Sequence, residues 1–363
     1  MKTFSIAVMP GDGIGQEIIP PCFELLQEAA AGVGGFTLDG IVVEAGAEYY
    51  RKTGDGFPEA HFQKAAAADA ILLGAMGLPD VRHPDGREIG PQLELRDRLG
   101  LFAGVRPVKV FPGIPPVLAH ARYPEIDFVL IRESTEGLFA FRTEGTVENG
   151  VAREILQLTR KGCERVFDFS FRLARKRKHQ GHKGVVTCVD KANVFRSFKF
   201  FRDVFDERAA GWADIGRDYC YVDAMALNMV KRPWEYDVLV MENQFGDILS
   251  DLGAALMGGL GMAPSADIGE THAVFQPCHG SAPDIMGQDK ANPIAAILSG
   301  AMMLDWLADM RDAPEAARAA DLVNRAVSRT LASGAVMPVE FGGATGTKAM
   351  FAAVRAAMAE LAR

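Results

Sequence analysis

The chain has 363 residues, 48% of them hydrophobic and 24% charged, with a formal net charge of −8. These are ordinary values for a soluble globular protein that is too long for one compact core, so two domains are expected. The acidic balance speaks against nucleic-acid binding, no apolar run reaches membrane-spanning length, and the N-terminus lacks the basic-then-apolar pattern of a signal peptide.

Apolar runs at 4–9, 41–44 and 70–73 read as strands, and the amphipathic stretches 16–31 and 59–68 between them read as helices. That alternation predicts an α/β fold. Further strands are expected at 128–131, 184–188 and 238–241, and the chain from Pro293 onward reads as helices. Cys22, Cys163, Cys188, Cys220 and Cys278 are odd in number, scattered and free of CxxC spacing, as expected of reduced thiols in a cytoplasmic protein.

The first strand runs into Gly11-Asp12-Gly13-Ile14-Gly15, a glycine-rich turn before a helix whose amides could face an anion. It is not the GxGxxG dinucleotide fingerprint. Arg96, Arg106 and Arg132 follow, the last closing an apolar strand. Guanidinium groups grip carboxylates through paired hydrogen bonds, so three converging arginines suit a small di- or tricarboxylate. The other reading pairs them with Glu94, Asp97 and Glu133 as structural ion pairs.

Lys191 stands just past an apolar strand. It is either a surface lysine or, if half-buried near cations, a proton acceptor. Asp247 and Asp251 stand four apart at the start of an expected helix, so their carboxylates point the same way. Two hard oxygen ligands with room for water and a substrate oxygen suit Mg²⁺ or Mn²⁺. A solvated acidic face complementing the helix N-terminus is the alternative. The glycines of 257–262 mark either a hinge or close backbone approach, or a helix cap followed by a turn.

Taken in order, the glycine-rich turn, Arg96 with Arg106, Arg132-Glu133-Ser134-Thr135-Glu136-Gly137, Asp190-Lys191-Ala192-Asn193, the stretch from Asn243 to Asp251, and His279-Gly280-Ser281-Ala282-Pro283-Asp284 resemble the β-decarboxylating dehydrogenase family of isocitrate, 3-isopropylmalate, homoisocitrate and tartrate dehydrogenases. The pattern is most similar to 3-isopropylmalate dehydrogenase-like members. The resemblance implies two α/β domains with a cleft between them, not a Rossmann fold. Residues 1–105 and 256–363 would form one domain carrying most of the NAD site, and 106–255 the other, with the dimer contact. It also implies a homodimer whose active sites are shared.

By the same resemblance, Asp247, Asp251 and Asp223 of the other subunit hold Mg²⁺ or Mn²⁺, and Lys191 accepts the proton as hydride leaves C2 for NAD. Arg96, Arg106 and Arg132 hold the substrate carboxylates. Ile14, His279, Gly280, Ser281, Ala282, Asp284 and Asn292 bind the cofactor, with Asp284 followed by Ile285 favouring NAD over NADP. Where the family usually has a tyrosine as proton donor to the enolate, this chain has Phe139, which has no hydroxyl.

The family reads the C3 substituent mainly four to seven places before the first arginine. Here those residues are Ile89, Gly90, Pro91 and Gln92, followed by Leu93, and they match neither the isopropylmalate nor the isocitrate pattern. A 3-substituted malate is expected, 3-isopropylmalate first, with homoisocitrate, isocitrate and tartrate or malate open. Some relatives are non-catalytic regulatory subunits. The presence of Lys191, Asp223, Asp247 and Asp251 favours an enzyme.

Overall fold

The computed structural model describes residues 1–362. Strands β1 (Lys2–Met9), β2 (Phe36–Val42), β3 (Ala70–Leu73), β4 (Ala103–Lys109) and β5 (Asp127–Glu133) occupy the first third of the chain. A short hairpin, β6 (Thr146–Glu148) with β7 (Val151–Arg153), comes before β8 (Val185–Asp190), β9 (Gly216–Tyr221), β10 (Val238–Met241), β11 (Pro264–Ile268) and β12 (Ala273–Pro277). The helices are α1 (Gly15–Val33), α2 (Ala47–Thr53), α3 (Glu59–Ala66), α4 (Pro91–Arg98), α5 (Arg160–His179), α6 (Arg196–Ala209), α7 (Val222–Lys231), α8 (Asn243–Leu256), α9 (Ile294–Arg311), α10 (Pro314–Ala332) and α11 (Thr347–Leu361).

Outside the hairpin, the strands form one ten-stranded sheet in the order β2-β1-β3-β12-β11-β4-β5-β10-β8-β9. Its two wings are parallel, and their inner strands are the continuous apolar runs expected where helices cover both faces, while the edge strands β2 and β9 are largely exposed. The centre is antiparallel, with β4 between β11 and β5. A doubly wound dinucleotide fold is parallel throughout this region, so the topology is not Rossmann. The expected division at 105/106 falls within β4, and that at 255/256 falls in the last turn of α8.

The strands at 70–73 and 238–241 stand as read from the sequence. The strand expected at 41–44 lies instead at Phe36–Val42, where Phe36 and Leu38 are buried and pair beside β1. Ile41 and Val42, whose apolar character suggested the strand, are its exposed outer end. The glycines of 257–262 cap α8 and turn the chain, and a side chain at Gly259 would overlap Glu340 Oε1. The close approach there is to the protein's own carboxylate. One continuous core runs beneath both wings, with Phe128, Phe167, Phe171, Phe201 and Phe205 fully buried at one end. Among the described residues no helix is long and apolar enough to cross a membrane.

Candidate active site

Three elements carry the arginines. Pro91 opens α4, which places Gln92 and Arg96 one turn apart on the same face. Arg106 lies on β4, and Arg132 ends β5, antiparallel to it. All three are buried, at 7%, 7% and 5% exposure, a costly arrangement unless each charge is met.

Two of them are met by a residue the sequence did not suggest. Asp267 on β11 accepts from Arg96 Nη2 at 3.1 Å and from Arg106 Nη2 at 3.2 Å, and Gln276 Nε2 adds a third bond at 3.1 Å. Burial alone would raise the Asp267 carboxyl, but the two guanidinium groups outweigh it and hold it well below the usual carboxylate range. The ion pairs suggested by proximity in sequence do not form. Glu94 pairs with Arg98, Asp97 with Arg142, and Glu133 accepts from Thr135 and the Glu136 amide. A lone charge in a strand with no other charged residue is the only signal for Asp267.

Arg132 bonds Asn243 Oδ1 at 2.8 Å and Asp247, both on α8. Burial and the nearby charge of Arg96 pull its guanidinium down to about 10. Its Cζ stands 5.0 Å from the centre of the half-buried Phe139 ring. α8 starts at Glu242, whose Oε2 accepts from the amides of Gln244 and Phe245, and so presents Asp247 and Asp251 one turn apart. Burial, then the charge of Asp247, raises the Asp251 carboxyl.

These groups share a cavity of about 250 Å³ lined by Gln92, the three arginines, Asp247, Asp251, Cys278, His279 and Gly280. Leu93 instead lines a neighbouring cavity together with Gln92. Lys191 and Asp223 are not on the arginine cavity. They form an ion pair with each other, which lowers the Asp223 carboxyl, and Asp223 is exposed on α7. Within one chain, therefore, Asp223 is not brought to Asp247 and Asp251, and among the described residues no cluster of three candidate ligands forms.

The expected cofactor loop packs on the glycine-rich turn. The Ile14 amide donates to Ser281 O at 2.8 Å and Ser281 Oγ to Gly77 O at 2.5 Å. Gly13, at φ +53°, has no room for a side chain against the Ser281 carbonyl. The amides of Asp12, Ile14, Gly15 and Gln16 are all bonded to backbone carbonyls, so this turn braces the loop and does not cradle an anion through those groups. Ala282 carries a positive φ of 36°.

His279 Nδ1 bonds Gly280 O at 2.9 Å, while its Nε2 is buried without a partner. Burial lowers the His279 pKa, which keeps the ring neutral. Asp284 is exposed within a run of turns and caps no helix. Asn292 is tied into the fold, donating to Glu340 Oε2 at 3.0 Å and accepting from the Ile294 amide at 3.2 Å.

Comparison with known proteins matches this architecture. A 3-isopropylmalate/3-methylmalate dehydrogenase of Methanocaldococcus jannaschii is 40% identical over 341 residues, covering 93% of this chain and 94% of that protein. A homoisocitrate dehydrogenase of the same organism is 39% identical, covering 94% of each. The crystal structure of isocitrate dehydrogenase from Methylococcus capsulatus superposes with a TM-score of 0.84 at 32% identity, covering 99% of both chains. The sequence profile described as isocitrate/isopropylmalate dehydrogenase matches residues 5–354, and the chain belongs to that family of enzymes.

Proposed function

We propose that this chain catalyses NAD- and divalent-cation-dependent oxidation of a 3-substituted malate at C2, followed by loss of the carboxylate on C3. The observation that carries this reading is the cluster of three buried arginines with one buried counter-ion, Asp267, beneath them. Arg132 is paired with Asp247, and the three guanidinium groups share with Asp247 and Asp251 a cavity large enough for a small diacid.

The residues present fit both implied groups. Asp247 and Asp251, one turn apart on α8, would hold a divalent cation, whose charge would offset the burial and the neighbouring carboxylate that raise the Asp251 carboxyl. The unpartnered Nε2 of His279, the open space at Gly280 and the exposed carboxylate of Asp284 offer polar contacts to a nicotinamide dinucleotide along a loop held by Ile14, Ser281, Ala282 and Asn292. A cation there would supply Lewis-acid polarisation and NAD a hydride acceptor.

The remaining steps belong to side chains. Arg96, Arg106 and Arg132 would clamp the two carboxylates and fix C2 and C3 in place. Lys191 would take the C2 hydroxyl proton. Once C2 is a carbonyl, the carboxylate on C3 leaves as CO₂ and its bonding pair forms an enolate. Phe139 has no proton to give that enolate, so water is left as its donor.

Lys191 and Asp223 would come from a second copy. Asp223 shares the outer face of α7 with Leu227 and Val230, which are 57% and 47% exposed, and Ile248 on α8 is 62% exposed. A second copy covering that apolar stripe would bring Asp223 and Lys191 to a neighbour's cavity. The test is NADH formation with Mg²⁺ or Mn²⁺ on a panel of 3-substituted malates, with CO₂ measured in parallel. NADH with equal CO₂ is expected, NADH alone removes the decarboxylation, and no turnover on any member overturns the reading.

A further inference from the structure

Asp12, the acid of the glycine-rich turn, has no part in the chemistry described above. It is 1% exposed, and its carboxylate accepts three backbone amides at 2.8 Å, those of Ala47 and Gly77 on Oδ2 and that of Glu48 on Oδ1. Its own amide donates to Ala75 O at 2.8 Å. One residue thus ties the end of β1 to the start of α2 and to the segment 75–77 that follows β3. There is no slack around it, since a Cβ at Gly46 would stand 2.6 Å from Oδ2 and one at Gly11 2.3 Å from Ala75 O.

From residues 75–77 the connection runs to the cofactor loop. Ala75 and Met76 line the arginine cavity beside His279 and Gly280. Gly77 gives its amide to Asp12 and takes the Ser281 hydroxyl on its carbonyl. Because Ser281 O also accepts from the Ile14 amide, Ser281 is held from two sides, and both holds begin in the turn that contains Asp12. A carboxylate has acceptor sites for all three amides. Asparagine has one acceptor oxygen and would turn its NH₂ toward at least one N–H, and alanine would serve none. Buried amides left unpaired are costly, so residues 75–77 would move to satisfy theirs and take Ser281 with them.

We infer that Asp12 is a positioning residue for the dinucleotide: it fixes residues 75–77 and, through the Gly77–Ser281 bond, the loop that receives NAD. This rests on the NAD site proposed above. The test is direct binding of NADH to the whole chain, followed by NADH fluorescence without substrate or metal, in wild type, Asp12→Ala, Asp12→Asn, Ser281→Ala and the Asp12→Ala/Ser281→Ala double variant. Asp12→Ala should raise the NADH Kd about 10-fold or more, with Asp12→Asn between it and wild type. Ser281→Ala should weaken NADH binding as well, and the double variant should bind within about two-fold of the weaker single, because both changes break one connection. KM for the diacid at saturating NAD should stay within a few-fold, since the arginines and Asp247 and Asp251 sit on other elements. A general loosening of the fold would raise both.

An unchanged NADH Kd in Asp12→Ala, fully multiplied effects in the double variant, or a diacid KM raised in step with the NADH Kd overturns the inference and leaves the NAD reading intact. A wild-type protein that binds no NADH overturns both. Should Asp12→Ala not fold, Asp12→Asn with Ser281→Ala completes the same cycle and decides it.

Discussion

Arg132 reaches Asp247 because Gly246 has no side chain: a Cβ at position 246 would stand 2.6 Å from both Cβ and Cγ of Arg132. In an ordinary helix interior Gly→Ala gains up to about 1 kcal/mol. Here the added methyl must displace a buried guanidinium stem, and overpacking of that kind costs about 1–3 kcal/mol. Gly246→Ala should therefore lower Tm and raise KM for the diacid about 10-fold or more, through a misplaced clamp. A Tm at or above wild type with unchanged KM would show that the helix tolerates the methyl.

Asp267 has the opposite task of keeping two cations in the interior. Asp267→Asn preserves shape but leaves Arg96 and Arg106 without a counter-charge, and removing one partner of a buried pair costs about 3–5 kcal/mol. Because the folded-state carboxyl is held below its unfolded value, the stability it contributes is present above about pH 4 and is lost as pH falls toward the folded value. Urea unfolding at pH 7 and pH 3 should show a large gap between wild type and variant at the higher pH and a smaller one at the lower. A constant gap would contradict the electrostatic account.

The contrast between these sites shows what was legible in the sequence. Strands 70–73 and 238–241 were readable because a fully buried strand is a continuous apolar run bounded by turns. The antiparallel centre was not, because the partnering of β4 with β11 joins residues about 160 positions apart and leaves no periodic trace. The same distance hides Asp267, so the acids nearest the arginines in sequence are Glu94, Asp97 and Glu133, of which Glu94 and Asp97 turn toward Arg98 and Arg142. Arg96, Arg106, Arg132, Asp247 and Asp251 do line one cavity, since α4, β4, β5 and α8 meet there. Lys191 and Asp223 lie off it, and only the family resemblance, which implies sites shared between subunits, gives a reason to look for them outside their own chain's cavity.

Glu133 is 1% exposed, and burial raises its carboxyl to about 6. The sign is the reverse of Asp267. The folded state holds this proton more tightly than the unfolded chain, so stability is highest below the unfolded value near 4.3 and declines as pH rises to about 6. Glu133→Gln should remove that decline and add up to about 2 kcal/mol at pH 7. Parallel wild-type and variant stability curves between pH 4.5 and 7 would sink the assignment.

Phe139 packs against Arg132 without a hydroxyl to offer. Phe139→Tyr adds one oxygen and should leave substrate affinity within a few-fold while raising CO₂ released per NADH formed, if enolate protonation limits the second half of the reaction. Stopped-flow NADH traces with parallel CO₂ capture make the comparison. An unchanged or lower CO₂ yield would show that protonation is already supplied elsewhere.

Shared sites make a prediction that no single-chain site would meet. Lys191→Met and Asp251→Asn homodimers should each be inactive, since each lacks one group in both cavities. Dissociated and reassociated in equal amounts, half the dimers are mixed, and each mixed dimer has one cavity with both defects and one with neither. Activity should return to about a quarter of wild type. Gel filtration would first establish that the subunits exchange, and analytical ultracentrifugation that they pair. If Lys191 served the cavity of its own chain, the mixed dimers would carry one defect in every site, and exchange would restore nothing.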